Sequence, residues 1–154
     1  MKRWLIPAAL LAVVILGEGL FRGTDVAKME PVEAVRLTLY PEGVVLQTDT
    51  GSSGVGKNLL EAVEDMRQTA EGVIFLETAE YLLLENGKTE IIPELMGVFR
   101  PSCKILFLRG PAEPKEMASF LRSRRVNETL LDWKIGEKIP PTLWTERGRF
   151  YLAE

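Results

Sequence analysis

Residues 43–84 constrain the fold of this chain most tightly. An extended apolar run at 44–48 is followed by a glycine- and serine-rich stretch, an amphipathic helix at 58–70 and two further apolar runs at 73–76 and 81–84. In the helix, Leu59, Leu60, Val63, Met66 and Ala70 fall on one stripe, while Glu61, Glu64, Asp65 and Gln68 cover the other side. Such a stripe demands burial. A helix of this kind between extended runs is a crossover that lays strands side by side in one sheet.

The flanking sequence extends the pattern. Val35, Leu37 and Leu39 alternate with Arg36, Thr38 and Tyr40, and Pro41-Glu42-Gly43 then turns the chain into the next run, a hairpin signal. Asn86-Gly87 is a turn. A second helix starts near Thr89 with Pro93 in or just after its first turn, buries Ile92, Leu95, Met96 and Phe99, and stops before Pro101. Residues 105–108 are apolar on both faces, which places them inside the sheet. Pro114 suits the first turn of a third helix carrying Met117, Ala118 and Leu121. Asn127 is positioned to cap a short helix with Leu130, Leu131 and Trp133, and residues 143–152 read as a closing hairpin about Arg147-Gly148. Hairpins mixed with crossover helices predict an α+β domain over 33–154, a mixed β-sheet with three to four helices packed on it.

A hydrophobic helix is expected ahead of that domain. Lys2 and Arg3 precede an apolar run from Trp4 to Leu16, the layout of a secretory signal peptide or a signal anchor over 1–21. The basic residues favour a cytoplasmic N-terminus, so the domain is expected on the extracytoplasmic side of a bacterial membrane. Both cleavage after Gly19 and retention as an anchor fit, and residues 22–32 read as a linker.

Composition excludes several functions. Net charge is −3 with no concentrated basic surface, which argues against a nucleic-acid partner; Arg122, Arg124 and Arg125 read as a solvated helix end. The chain has no histidine and one cysteine. Imidazole catalysis is thereby excluded, and no metal site is expected. Cys103 opens the apolar run CKILFL and reads as a buried structural thiol.

The glycine-rich stretch nearly spells a nucleotide signature. Gly51, Gly56 and Lys57 match GxxxxGK after an extended run and before a helix, where backbone N–H groups would surround phosphates. Asn58 stands where a Ser or Thr hydroxyl would hold Mg²⁺, and the run VIFLE ends in Glu77 where an Asp is usual. The simpler reading is a flexible approach to a helix whose first N–H groups are satisfied by Ser52 or Ser53. A P-loop-like nucleotide-binding protein using Gly51 to Lys57 is kept as one alternative, and a general anchored scaffold domain as another. Serine hydrolysis lacks an S-x-x-K motif, because Gly54 lies three residues before Lys57, and it lacks a histidine. No catalytic residue and no cofactor is expected.

The same stretch resembles the N-terminal domain of the Ger(x)C family, the C subunits of spore germinant receptors. The resemblance rests on Gly54-Val-Gly-Lys57, Asn58-Leu-Leu-Glu-Ala62, Val73-Ile-Phe-Leu76, Tyr81-Leu-Leu-Leu84, the spacing from Ile91 to Phe99, and the run Ile105 to Leu108 with Gly110-Pro-Ala112. It covers roughly residues 33–125, in element order and apolar spacing more than in fixed residues. It implies a non-enzymatic, membrane-attached extracytoplasmic subunit that assembles with multi-spanning receptor subunits in spore germination, and it carries over no catalytic residue. Family members are lipoproteins with further domains. Here Glu18 occupies the position of the lipid-bearing cysteine, so lipidation is not expected, and the likeness extends to the first domain alone.

Overall fold

The computed structural model describes residues 29–153, and the expected hydrophobic helix over 1–21 lies outside them. Nine strands and four α-helices follow in order: β1 (Met29–Pro31), β2 (Ala34–Tyr40), β3 (Gly43–Thr48), β4 (Ser53–Gly56), α1 (Leu59–Thr69), β5 (Val73–Phe75), β6 (Tyr81–Glu85), α2 (Ile92–Val98), β7 (Lys104–Arg109), α3 (Pro114–Arg122), α4 (Leu130–Ile135), β8 (Thr142–Glu146) and β9 (Arg149–Ala153). Seven of the strands form one sheet in the order β4-β3-β2-β6-β7-β8-β9. The inner pairs β2–β6, β6–β7 and β7–β8 are parallel, while β2–β3, β3–β4 and β8–β9 are antiparallel. The sheet is therefore mixed, as the alternation of hairpins and crossover helices predicts.

Burial explains the order. Period-two side chains send Val35, Leu37, Leu82, Leu84 and Ile105 to one face, where they meet Leu59, Val63 and Met66 of α1, Leu95 of α2 and Leu130 of α4. The alternate set, Ala34, Tyr81, Leu83, Leu106 and Leu143, faces Met117, Ala118 and Leu121 of α3. Strand β6 sits between two parallel neighbours with both faces covered, which accounts for its unbroken run Tyr81-Leu-Leu-Leu84. The start of α3 is tied to the sheet by Arg36, which donates to Glu85 at 2.7 Å and to the Ala112 carbonyl at 3.0 Å.

Leu60, expected on the buried stripe of α1, is 66% exposed, and four further expectations change. The stretch read as a flexible loop is strand β4, paired antiparallel to β3 from Val44↔Gly56 to Gln47↔Ser53. Ser-Gly-Val-Gly has poor strand propensity, but α1 lies so close that only hydrogen fits at two positions. A Cβ on Gly54 would stand 2.0 Å from the Ala62 carbonyl oxygen, and one on Gly56 would stand 2.4 Å from the Ala62 nitrogen. Second, the expected linker contains β1, which pairs in parallel with β5 in a separate two-stranded sheet; 73–75 thus lies outside the main sheet. Third, α1 is capped by Asn58, whose Oδ1 accepts from the Glu61 N–H at 2.9 Å, rather than by Ser52 or Ser53. Fourth, α4 is capped by Thr129 in a capping box with Asp132, rather than by Asn127. The closing hairpin turns on Arg147 and Gly148, both with positive φ, a two-residue turn of the kind that matches strand twist.

Two glycine substitutions separate close packing from helix propensity. Gly54→Ala should lower the urea-unfolding free energy by about 3 kcal/mol or more, because the obstructing atom is backbone. Gly97→Ala, in α2 with nothing within 4 Å of the added carbon, should raise it by about 0.5–1 kcal/mol.

Candidate functional site

The glycine segment comes first because sequence singles it out. In the fold, α1 lies along the outer edge of β4 and presents Glu61, Asp65 and Thr69, spaced four apart and so stacked on one face. Asp65 Oδ2 accepts from the Val55 N–H at 2.8 Å, Glu61 Oε2 accepts from the Lys57 N–H at 2.9 Å, and Thr69 Oγ1 donates to the Ser53 carbonyl at 3.4 Å. The N–H groups of Val55 and Lys57 thus already hold carboxylates. A phosphate brought to them would meet two negative charges. Gly51 lies in a turn, Gly56 ends an antiparallel edge strand and Lys57 follows it, unlike the open loop after a parallel strand that the signature requires.

Lys57 instead borders a cleft of about 630 Å³ at the carboxyl ends of β2 and β6, with Tyr40, Asn58, Asn86, Lys88 and Glu94 on its walls. Parallel sheets often bind ligands at that end. Glu94 Oε2 accepts from the Leu59 N–H at 3.3 Å, so the first turn of α1 is also partnered. Its lysines share the wall with Glu90 and Glu94, a mixed charge set with no activated nucleophile among them.

Titratable groups elsewhere serve the fold. Burial pushes the Cys103 thiol up to about 12, which keeps it protonated and unreactive. Lys104 Nζ lies 2.7 Å from Glu80 Oε1 and 5.1 Å from the Tyr81 ring centroid. Its hydrogen bond holds the Glu80 carboxyl below the ordinary value of 4.5. Among the described residues no group of three or more Cys, Asp or Glu is placed to hold a metal ion.

The far edge of the sheet is built differently. The two-residue turn makes Glu146↔Arg149 a hydrogen-bonded pair, and alternation makes Trp144↔Tyr151 and Thr142↔Ala153 the next ones. The Phe107 N–H donating to the Pro141 carbonyl at 2.9 Å fixes the same parity from the β7 side. The backbone groups of Phe150 and Leu152 therefore point outward, and no described element pairs with them. On one face of this hairpin Trp144 and Tyr151 are 49% and 43% exposed, and Ile139, in the connection leading into β8, is 84% exposed. On the other face a cleft of about 670 Å³ lies between Phe120, Arg124 and Arg125 at the end of α3 and Phe150 and Leu152 of β9. Phe120 and Phe150 stack at 5.3 Å, and the Arg124 guanidinium sits 5.2 Å from the Phe120 ring centroid. Of the basic run read as a solvated helix end, Arg122 is engaged by Glu33, while Arg124 and Arg125 border this cleft. Sequence reasoning missed the cleft because nothing in the chain order announces that 120–125 and 150–152 are neighbours.

No protein-family model, curated protein or solved structure matches this chain.

Two measurements probe these contacts. Asp65→Ala should cost about 1 kcal/mol by uncovering the Val55 N–H, whereas Lys57→Ala should change stability by less than about 0.5 kcal/mol, and millimolar Mg-ATP should not raise the melting temperature of either parent or variant. The depressed Glu80 pKa means that its stabilisation is present above the ordinary carboxylate value and is lost as pH falls through the folded-state value. Acid unfolding of Lys104→Met should accordingly show a shallower loss of stability below pH 4.5 than the parent.

Proposed function

We propose that this protein is a non-enzymatic assembly subunit, held at a bacterial membrane by its N-terminal hydrophobic segment with the 33–154 domain on the extracytoplasmic side. The observation that carries the reading is the asymmetry of the sheet's edges. One edge is closed by the side chains of α1, while at the other no described element pairs with the Phe150 and Leu152 backbone, and Trp144 and Tyr151 beside it are exposed. Soluble folds blunt such edges unless pairing is their use. The Ger(x)C resemblance supplies the natural setting, assembly with multi-spanning subunits of a spore germinant receptor. The nucleotide-binding alternative loses support from the carboxylates that already occupy the N–H groups of the glycine segment.

Topology is the first test. In intact protoplasts, external protease should digest the domain while a cytoplasmic control protein survives. Protection of the domain until the membrane is lysed would overturn the extracytoplasmic assignment.

A further inference from the structure

We propose that β9 and the cleft beneath it bind an extended peptide segment of a partner protein by strand addition, and that this segment carries an acidic and an apolar side chain two residues apart. The proposal rests on the reading of the domain as an assembly module and names the chemistry of what it assembles with. Three features determine the ligand. Phe150 and Leu152 each offer an outward N–H and C=O, so an added strand gains up to four backbone hydrogen bonds without disturbing the β8–β9 ladder. Side chains opposite those two residues point to the face that holds the cleft of about 670 Å³. There the stacked Phe120 and Phe150 favour an apolar group, and Arg124 and Arg125 favour a carboxylate. The intervening residue of the added strand lies beside Tyr151 and Trp144 on the opposite face, where an aromatic or β-branched side chain packs well.

Charge selects this occupant over a second copy of the chain. Antiparallel pairing of β9 with itself, centred on Tyr151, has a workable register, with Phe150 opposite the other copy's Leu152. It also brings two Arg124–Arg125 pairs to the same face about one two-fold axis, with no carboxylate among the described residues that line either cleft to offset them. The opposite sheet edge offers no equivalent, since Asp65 and Glu61 already take its N–H groups.

The test uses the full chain in mild detergent and a fluorescein-labelled peptide whose alternate positions are Glu and Leu, with a Lys-for-Glu peptide as control. Binding of the acidic peptide should weaken with added salt, and the control should bind at least about tenfold more weakly. Arg124→Glu with Arg125→Glu should cut affinity for the acidic peptide by about tenfold or more and improve binding of the control. Leu152→Pro, which removes an outward N–H that the fold does not use, should also abolish binding; circular dichroism verifies its folding, and the arginine variant stands alone if it unfolds. Equal binding of both peptides, no binding of either, or indifference to the arginine reversal overturns the proposal. So does a dimer in sedimentation velocity that Leu152→Pro dissolves, because the edge would then belong to a second copy. These readouts are independent of location. Protease protection in protoplasts alongside salt-sensitive peptide binding would sink the extracytoplasmic assignment and leave the peptide site standing.

Discussion

Everything in this domain hangs on the burial of β6. Leu82, Leu83 and Leu84 have no exposed surface, and each contributes on the order of 1.5–3 kcal/mol by leaving water. A strand buried on both faces needs a packed layer above and below, the setting in which parallel neighbours are usual. Strands β2 and β7 supply the neighbours, α1 and α2 supply one layer, and α3 supplies the other. The hairpins β3–β4 and β8–β9 then extend a sheet whose centre is already determined.

Extension leaves two edges, and the chain treats them oppositely. At β4 the absence of side chains at Gly54 and Gly56 lets α1 settle onto the strand, close enough for Glu61 and Asp65 to reach its N–H groups. The glycine segment that resembles a phosphate loop in sequence forms, in space and together with the carboxylates of α1, a device that seals a strand edge. At β9 no described helix makes the equivalent approach; α3 ends beside it and contributes Phe120, Arg124 and Arg125 as one wall of a cleft. An open edge beside cationic and aromatic side chains has the features that strand-adding peptides use.

Elements whose pattern is set by their own burial were legible in sequence. The stripe of Leu59, Val63 and Met66, the run Tyr81 to Leu84 and the Arg147-Gly148 turn each announce their structure locally, although Leu60, read into that stripe, faces solvent. Elements created by a distant neighbour were not. Ser-Gly-Val-Gly is a strand only because α1 and β3 hold it, and Met29–Pro31 is one only because β5 lies alongside. The cap of α1 was displaced for a related reason: once residues 53–56 are strand, the first available polar side chain before the helix is Asn58. The candidate site shows the same division. The outward parity of Phe150 and Leu152 follows from a two-residue turn, but the meeting of α3's basic end with β9 exists only in the fold.

The central claim, one sealed edge and one open edge, is tested most directly by amide hydrogen exchange on the free full-length chain. Phe150 and Leu152 should exchange at close to the rate of unstructured amides, while Tyr151 between them, bonded to Trp144, and Val55, bonded to Asp65, should be slowed. Protection of Phe150 and Leu152 equal to that of Tyr151 would mean that the β9 edge is already paired, and the account of an edge kept open for a partner would fail.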